Sequence, residues 1–163
     1  MPRYVNDGNI KVAWGTFADK NFIALSELQL AEDIECHLTK DGLNITFNEN
    51  EVEDGALCET FDATLPGSYG VQIELTMKRR NTDNGDTDAA WDLFATRGET
   101  GMLVVRRGID ADIAWQASQA VEVYPGTLGV RQPIAPASNE QARFMIRVFG
   151  SEEPALDAEV VAS

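Results

Sequence analysis

One histidine, His37, and two cysteines, Cys36 and Cys58, make up all the imidazole and thiol chemistry of this 163-residue chain. A single imidazole excludes any site that needs two, and no serine or cysteine stands in a nucleophile-elbow or Cys-His setting. Carboxylates are abundant. Asp83, Asp86 and Asp88 gather around Gly85, but the run lacks the alternate ligand positions and distal bidentate glutamate of a calcium loop. Their expected role is to stabilise the start of a following helix. Asp62 and Glu74 would resemble the acid and base of a hydrolase if they stood directly across from one another on the polar face of a hairpin. No aromatic platform or base accompanies them in sequence, so they read as the wet face of a sheet. Asn44-Ile45-Thr46 fits the glycosylation pattern, which has no consequence without a secretory signal. With no glycine-rich phosphate loop either, these residues point to no enzyme, no cofactor and no metal.

Opposed charge clusters carry more information. Lys78, Arg79, Arg80, Arg106 and Arg107 account for five of the 13 basic residues, while Glu49, Glu51, Glu53 and Asp54 concentrate acid in a short polar stretch. Complementary clusters at opposite ends of a domain suit a heterologous contact between copies, which generates rings or filaments rather than closed dimers. Solvated loop ends are the plainer alternative.

The elements that position these residues are mostly strands. Residues 58–80 alternate as a long hairpin: Leu57, Phe61, Ala63 and Leu65 share a face, Pro66-Gly67-Ser68 reverses the chain, and Tyr69, Val71, Ile73, Leu75 and Met77 resume the apolar row. Arms of nine or ten residues would span roughly 30 Å each and leave a long edge open to pairing. A second hairpin is expected where Ile34, Cys36 and Leu38 alternate before a Lys40-Asp41-Gly42 turn into Leu43, Ile45 and Phe47. This places Cys36 inward, His37 outward and Cys58 on a polar face, with both thiols free. Residues 48–55 read as a long polar loop.

Further strands are expected over 10–14, 101–107, 119–123, 127–132, 142–149 and 158–162, with 101–107 apolar on both faces as in a central strand. Residues 16–29 form a poorly patterned connection. Ala90, Leu93, Phe94 and Arg97 mark a single amphipathic helix over 87–97, closed by Gly98. The fold class is therefore all-β, a mostly antiparallel β-sandwich or half-barrel with one short flanking α-helix. A domain over 1–150 is followed, after a hinge at 150–154, by a C-terminal arm or final strand over 151–163.

A length of 163 residues suits one core, and 44% hydrophobic residues exclude an extended disordered chain. The net charge of −14 opposes any ordinary grip on nucleic acid, which needs lysine and arginine against phosphate. No apolar stretch follows Met1-Pro2-Arg3-Tyr4, so no signal peptide is expected, and no run reaches the length of a membrane span.

Taken in order, these features resemble the major tail protein, or tail tube protein, of long-tailed bacteriophages with non-contractile tails. The resemblance runs from Ala24-Leu25-Ser26-Glu27-Leu28 through the 33–38 and 43–47 strands, the polar loop and the long hairpin. It continues through the Ala-Ala-Trp-Asp-Leu-Phe helix to the closing strand at 142–149. It implies a virion protein, assembled in the host cytoplasm, whose hexameric rings stack head to tail into a tube that DNA traverses without specific binding. Its implied partners are other copies of itself, the tape measure and terminator proteins, and no membrane. The bore would be lined by strands of every subunit, with Asp62 and Glu74 as candidate lining residues, while the 48–55 loop reaches a neighbour. Another virion β-sandwich, such as a tail terminator or head-decoration protein, is the alternative. A carbohydrate-binding or glycoside-cleaving sandwich stands behind both and would need exposed aromatics clustered on one sheet, where Trp14, Trp91 and Trp115 are not visibly placed; Trp91 falls in the helix and is expected to pack in or against the core.

Overall fold

Among the described residues, ten strands join into one sheet. In the computed structural model, which describes Arg3 and residues 5–162, the chain runs β1 (Ile10–Gly15), β2 (Phe22–Ala24), α1 (Leu25–Leu30), β3 (Glu32–Asp33), β4 (Leu38–Glu53) and β5 (Thr64–Lys78). It continues with α2 (Ala89–Leu93), β6 (Thr100–Arg107), β7 (Ala120–Leu128), β8 (Gln132–Pro133), β9 (Arg143–Gly150) and β10 (Ala155–Val161). Met1, Pro2 and Tyr4, where the expectation about a signal peptide falls, and Ser163 at the end of the C-terminal segment lie outside the described residues. The main path is β3-β1-β6-β7-β9-β5-β4; β8 pairs with β9, and β10 pairs with β7 and, in parallel, with β2. Every other pairing is antiparallel.

Alternation along the strands builds two cores. Val12 and Trp14, Leu103 and Val105, Tyr124 and Leu128, Phe144, Ile146 and Val148, and Ile73, Leu75 and Met77 all point into one cluster. Five strands can share a cluster in this way only if the sheet curls, as a half-barrel does. Ala90 of α2 and Phe94 just after it close it from one side, with the Trp14 and Phe94 rings tilted to each other at 5.9 Å. The intervening residues of β1, β6 and β7, including Ala13, Val104, Val121 and Val123, face a second cluster under β2, α1 and β10. These three strands are thus buried on both sides. The continuous apolar run of β6 follows from this, and Gly101 is required where Trp14 lies close: a Cβ there would stand 2.6 Å from the indole.

The outer face of β4, β5 and β9 is different. Asn44, Thr46, Gln72, Glu74, Thr76, Met145 and Arg147 alternate with core residues and remain at least partly exposed. No described element covers them.

Several boundaries depart from the sequence expectation. The long hairpin is β4 with β5, joined by a tip loop over 54–63, so most of the expected polar loop at 48–55 is strand. Pro66-Gly67-Ser68 does not reverse the chain. Glu49 faces Tyr69 and Glu51 faces Pro66, so β5 absorbs one extra residue in a bulge. Gly67 suits that close approach, since a Cβ would lie 2.9 Å from the Asn50 carbonyl. Lys40-Asp41-Gly42 is likewise a bulge within β4, between the Leu38–Met77 and Leu43–Leu75 pairs, with Gly42 pressed against the Thr76 carbonyl. Residues 33–39 are not one strand, because the chain turns at 35–37, and Cys36 is exposed rather than buried. Both cysteines are free.

Among the described residues, two short helices replace the single expected one. The helix expected over 87–97 keeps only Ala89–Leu93, and α1, anchored by buried Leu28, lies in the segment with no visible pattern. Residues 120–123 of one expected strand and 127–128 of the other fall on a single strand, β7, while 129–131 lie between strands and Gln132 opens β8.

Candidate assembly interface

β5 pairs with β9 over 72–78, and from 64 to 71 its partner is β4 alone. About 25 Å of two-stranded ribbon therefore reaches beyond the part of β5 that β9 supports. The row Leu43, Ile45, Phe47 continues on the same face of β4 as Glu49, Glu51 and Glu53. Apolar side chains line that face where it meets the core, and carboxylates take over where it runs into water. Two contacts brace the ribbon at its root: the Tyr69 hydroxyl donates to Glu153 at 2.8 Å, and Phe47 meets the Tyr124 ring at 6.4 Å. Asp54 starts the tip loop, which also carries Glu59 and Asp62 beside Leu57 and Phe61. Leu57 is fully exposed and Phe61 78% exposed, and Val52 and Leu65 form an exposed cross-strand pair below them.

Lys78, Arg79 and Arg80 stand at the opposite end of the same hairpin, about 45 Å from Thr64 along β5. The acidic and basic clusters therefore occupy opposite ends of one element. Arg79 is partly engaged within the subunit. Its Nε lies 2.7 Å from buried Asp88, and its guanidinium stacks 3.8 Å from the Trp91 ring centre. Arg131 stacks on the same ring at 3.9 Å and donates to the Trp91 carbonyl, while Phe144 meets the ring edge-on at 5.0 Å. Asp88 thus pairs with an arginine, and among the described residues no three His, Cys, Asp or Glu side chains converge as a metal would require.

Arg106 and Arg107 part company. Arg107 extends to Glu122 at 2.5 Å, and Glu122 also accepts the Tyr124 hydroxyl. Burial, followed by that hydrogen bond, pushes the Tyr124 phenol well above its ordinary pKa. Arg106 is a correction to the contact set: it is wholly buried and offers no surface to a neighbour. Its guanidinium donates to the carbonyls of Asp110, Ile113 and Ala114 and to the Gln119 side chain, beside Trp115. Burial lowers its pKa from the ordinary arginine value, against the opposing pull of Glu35, Asp33 and Asp110. Alternation gives a signal for this placement, because Val104 and Arg106 share a face of β6. On the same side, Lys11 is buried between Glu35 at 3.0 Å and Asp33 at 3.4 Å, and Asp33 accepts the Trp115 indole N–H.

The two candidate bore residues are also separated. Glu74 sits on the open face of β5, opposite Asn44 on β4 and Arg147 on β9, whereas Asp62 lies out on the tip loop. Ten residues of strand separate Thr64 from Glu74, about 33 Å, so the pair cannot act as the two carboxylates of a glycosidase, which stand within about 10 Å. Trp14 and Trp115 are buried and Trp91 is held between two arginines, so the tryptophans supply no sugar-binding platform.

At the hairpin base a cavity of about 340 Å³ opens beside β1 and β4. Ile10, Val12, Leu38 and Leu43 form its apolar wall, Lys40 and Lys78 stand among its polar lining, and Cys36 and Glu35 also line it. Asp7 adds an acid to the lining, while Glu35 is neutralised by Lys11.

Solved structures with the same architecture come from particle tails and baseplates. A chain of the virion of a native gene transfer agent particle aligns with TM-score 0.56 and 14% identity, covering 95% of this chain and all of the other. One from the tail of an empty gene transfer agent particle, treated with C6 symmetry, aligns at 0.54 with 19% identity, covering 93% and 96%. One from the six-fold symmetrised baseplate of the anti-feeding prophage aligns at 0.55 with 9% identity, covering 95% and 96%. At such identities the likeness is one of fold. No curated protein sequence matches. The model of the phage tail tube protein family matches residues 1–163, and the chain belongs to that family.

Proposed function

We propose that this tail tube protein forms hexameric rings that stack head to tail into the tube of a non-contractile tail, and that the open face of β4, β5 and β9 lines a bore through which DNA passes. The observation that carries this proposal is the position of β4. It ends the sheet with its outer edge unpaired among the described residues, next to a polar face that nothing covers. An unpaired edge of that length is a template for a strand of a second copy, and closure of such pairings into a ring removes every edge. Whole-chain membership in the family and the six-fold particles in which chains of this fold occur support the same geometry.

The net charge of −14 then serves passage as well as solubility. Phosphate is repelled over a Debye length of about 8 Å at physiological salt, so a polar wall with few free cations lets DNA slide. Glu74 is the bore-lining acid, and Asp62 belongs with the tip instead. Tape measure protein within the lumen and terminator protein at the tube end complete the set of partners, with assembly in the host cytoplasm. Negative-stain microscopy of the purified chain tests the proposal. Variable-length tubes with six-fold end views are expected, whereas single rings or trimers would favour a terminator or decoration protein.

A further inference from the structure

The hairpin tip and the cavity at the hairpin base complement one another in size, polarity and charge. Phe61 and Leu57 are large apolar side chains left in water at the end of a ribbon flanked by Glu49, Glu51, Glu53, Asp54, Glu59 and Asp62. The cavity joins an apolar wall to a lining that includes Lys40 and Lys78, with Arg79 and Arg80 following. Its 340 Å³ is enough for an aromatic side chain with an aliphatic neighbour. Tip and cavity lie too far apart along the hairpin to meet within one subunit, about 45 Å by strand rise. A second copy can join them. Resting on the tube assignment above, we propose that the tip loop of each copy seats Phe61 and Leu57 in the cavity of the next copy along the tube.

The contact is heterologous, since each copy presents both knob and socket, and it therefore propagates. Burying two large apolar side chains supplies the attraction, and the charges fix orientation: acid meets the lysines of the socket, while tip against tip would repel.

The two cysteines of the chain mark the two halves of the contact. Cys36 lines the cavity, and Cys58 lies on the tip loop next to Leu57; both are exposed and free. They are too distant to join within a subunit, because a disulfide needs Cα atoms within about 7 Å and a short linker reaches little further. Seating the tip brings the Cys58 of one copy to the Cys36 of the next.

Assembled wild-type tubes treated with a short bis-maleimide test this. The expected result is a ladder of covalent species extending well beyond the dimer, since every copy carries one cysteine of each kind. Cys36→Ser and Cys58→Ser should each abolish the ladder. Phe61→Ser, at an exposed position where the melting temperature of the subunit should stay within a degree or two of wild type, should leave assemblies no longer than a few rings. Tubes that yield no ladder, or that stop at dimers, overturn the socket, as do Phe61→Ser tubes of wild-type length. In those cases the tube assignment stands. A wild-type chain that forms no tubes under any assembly condition overturns the tube assignment and the socket together.

Discussion

Arg147 on β9 stands opposite Glu74 on β5, its Nε 3.2 Å from the carboxylate without hydrogen-bond geometry. The acid proposed for the bore is therefore already balanced by a neighbouring cation. Both side chains are more than a third exposed, so the pair contributes no more than about 1 kcal/mol to stability. Glu74→Lys should shift the urea midpoint only slightly, yet it places two unbalanced cations on the open face of each subunit. Particles carrying it should eject DNA more slowly, with the defect relieved by added salt. Asp92→Lys, on the exposed side of α2, is the control and should eject normally. Equal ejection by Glu74→Lys and wild-type particles would place the bore elsewhere.

Trp91 is held by Arg79 and Arg131 on its faces and Phe144 at its edge. Each cation–π contact is worth about 0.5–1 kcal/mol, and the aromatic pair a similar amount beyond area burial. Trp91→Ala should lose about 2–4 kcal/mol of unfolding free energy by chemical denaturation, and Trp91→Leu should recover part of the packing but none of the stacking. A loss below 1 kcal/mol would mean that the stack adds nothing to stability.

Arg106 holds the chain around 110–114 by donating to three carbonyls and one side-chain amide inside the subunit. Charged hydrogen bonds of this kind are worth about 1.5–3 kcal/mol each, and removal strands several buried acceptors. Arg106→Ala should destabilise by at least about 3 kcal/mol. Arg106→Lys should recover little, because one ammonium cannot span the acceptors that a planar guanidinium reaches. Amide exchange at 110–114 should accelerate in both variants, and unchanged protection there would refute the role.

Alkaline pH should weaken the fold. Burial pulls the Lys11 pKa down, but the hydrogen bond to Glu35 and the charges of Glu35 and Asp33 outweigh it and leave the pKa above the ordinary 10.5. Tyr124 likewise keeps its proton above the ordinary 10.0. The unfolded chain releases these protons at the ordinary values while the folded chain holds them. Their contribution is therefore full below about pH 10 and declines above it. Denaturant midpoints should be flat between pH 7 and 9 and fall by pH 11, and Tyr124→Phe should flatten part of that fall. A midpoint that rises above pH 10 would contradict both shifts.

Strands with unambiguous alternation or two-sided burial were legible in the sequence. Ile10–Gly15, Thr100–Arg107 and Arg143–Gly150 emerge within a residue or two of their expected limits, because tertiary packing and local pattern ask for the same side chains. The long hairpin was legible as a feature but not in its register. Pro66-Gly67-Ser68 and Lys40-Asp41-Gly42 have the chemistry of turns, and bulges in paired strands draw on the same residues. Leu25–Leu30 escaped notice because six residues with one fully buried side chain set no period. Of the interface, the opposition of acid and base was visible in sequence, while the cavity was not. Its lining joins Ile10 of β1 to Leu38 and Lys78 of the hairpin base, and the curl of the sheet is what brings those distant strands together.

The row of Glu49, Glu51 and Glu53 also bears on the time before assembly. A subunit that has not yet assembled carries the long unpaired edge of β4, a surface prone to unscheduled cross-β growth. Three carboxylates at alternate positions on the ribbon charge its exposed end and make strand-on-strand stacking of free subunits repulsive at neutral pH. High salt would screen that repulsion. The same ribbon that suits the protein to building a tube thus also carries the means of keeping unassembled subunits from becoming fibres.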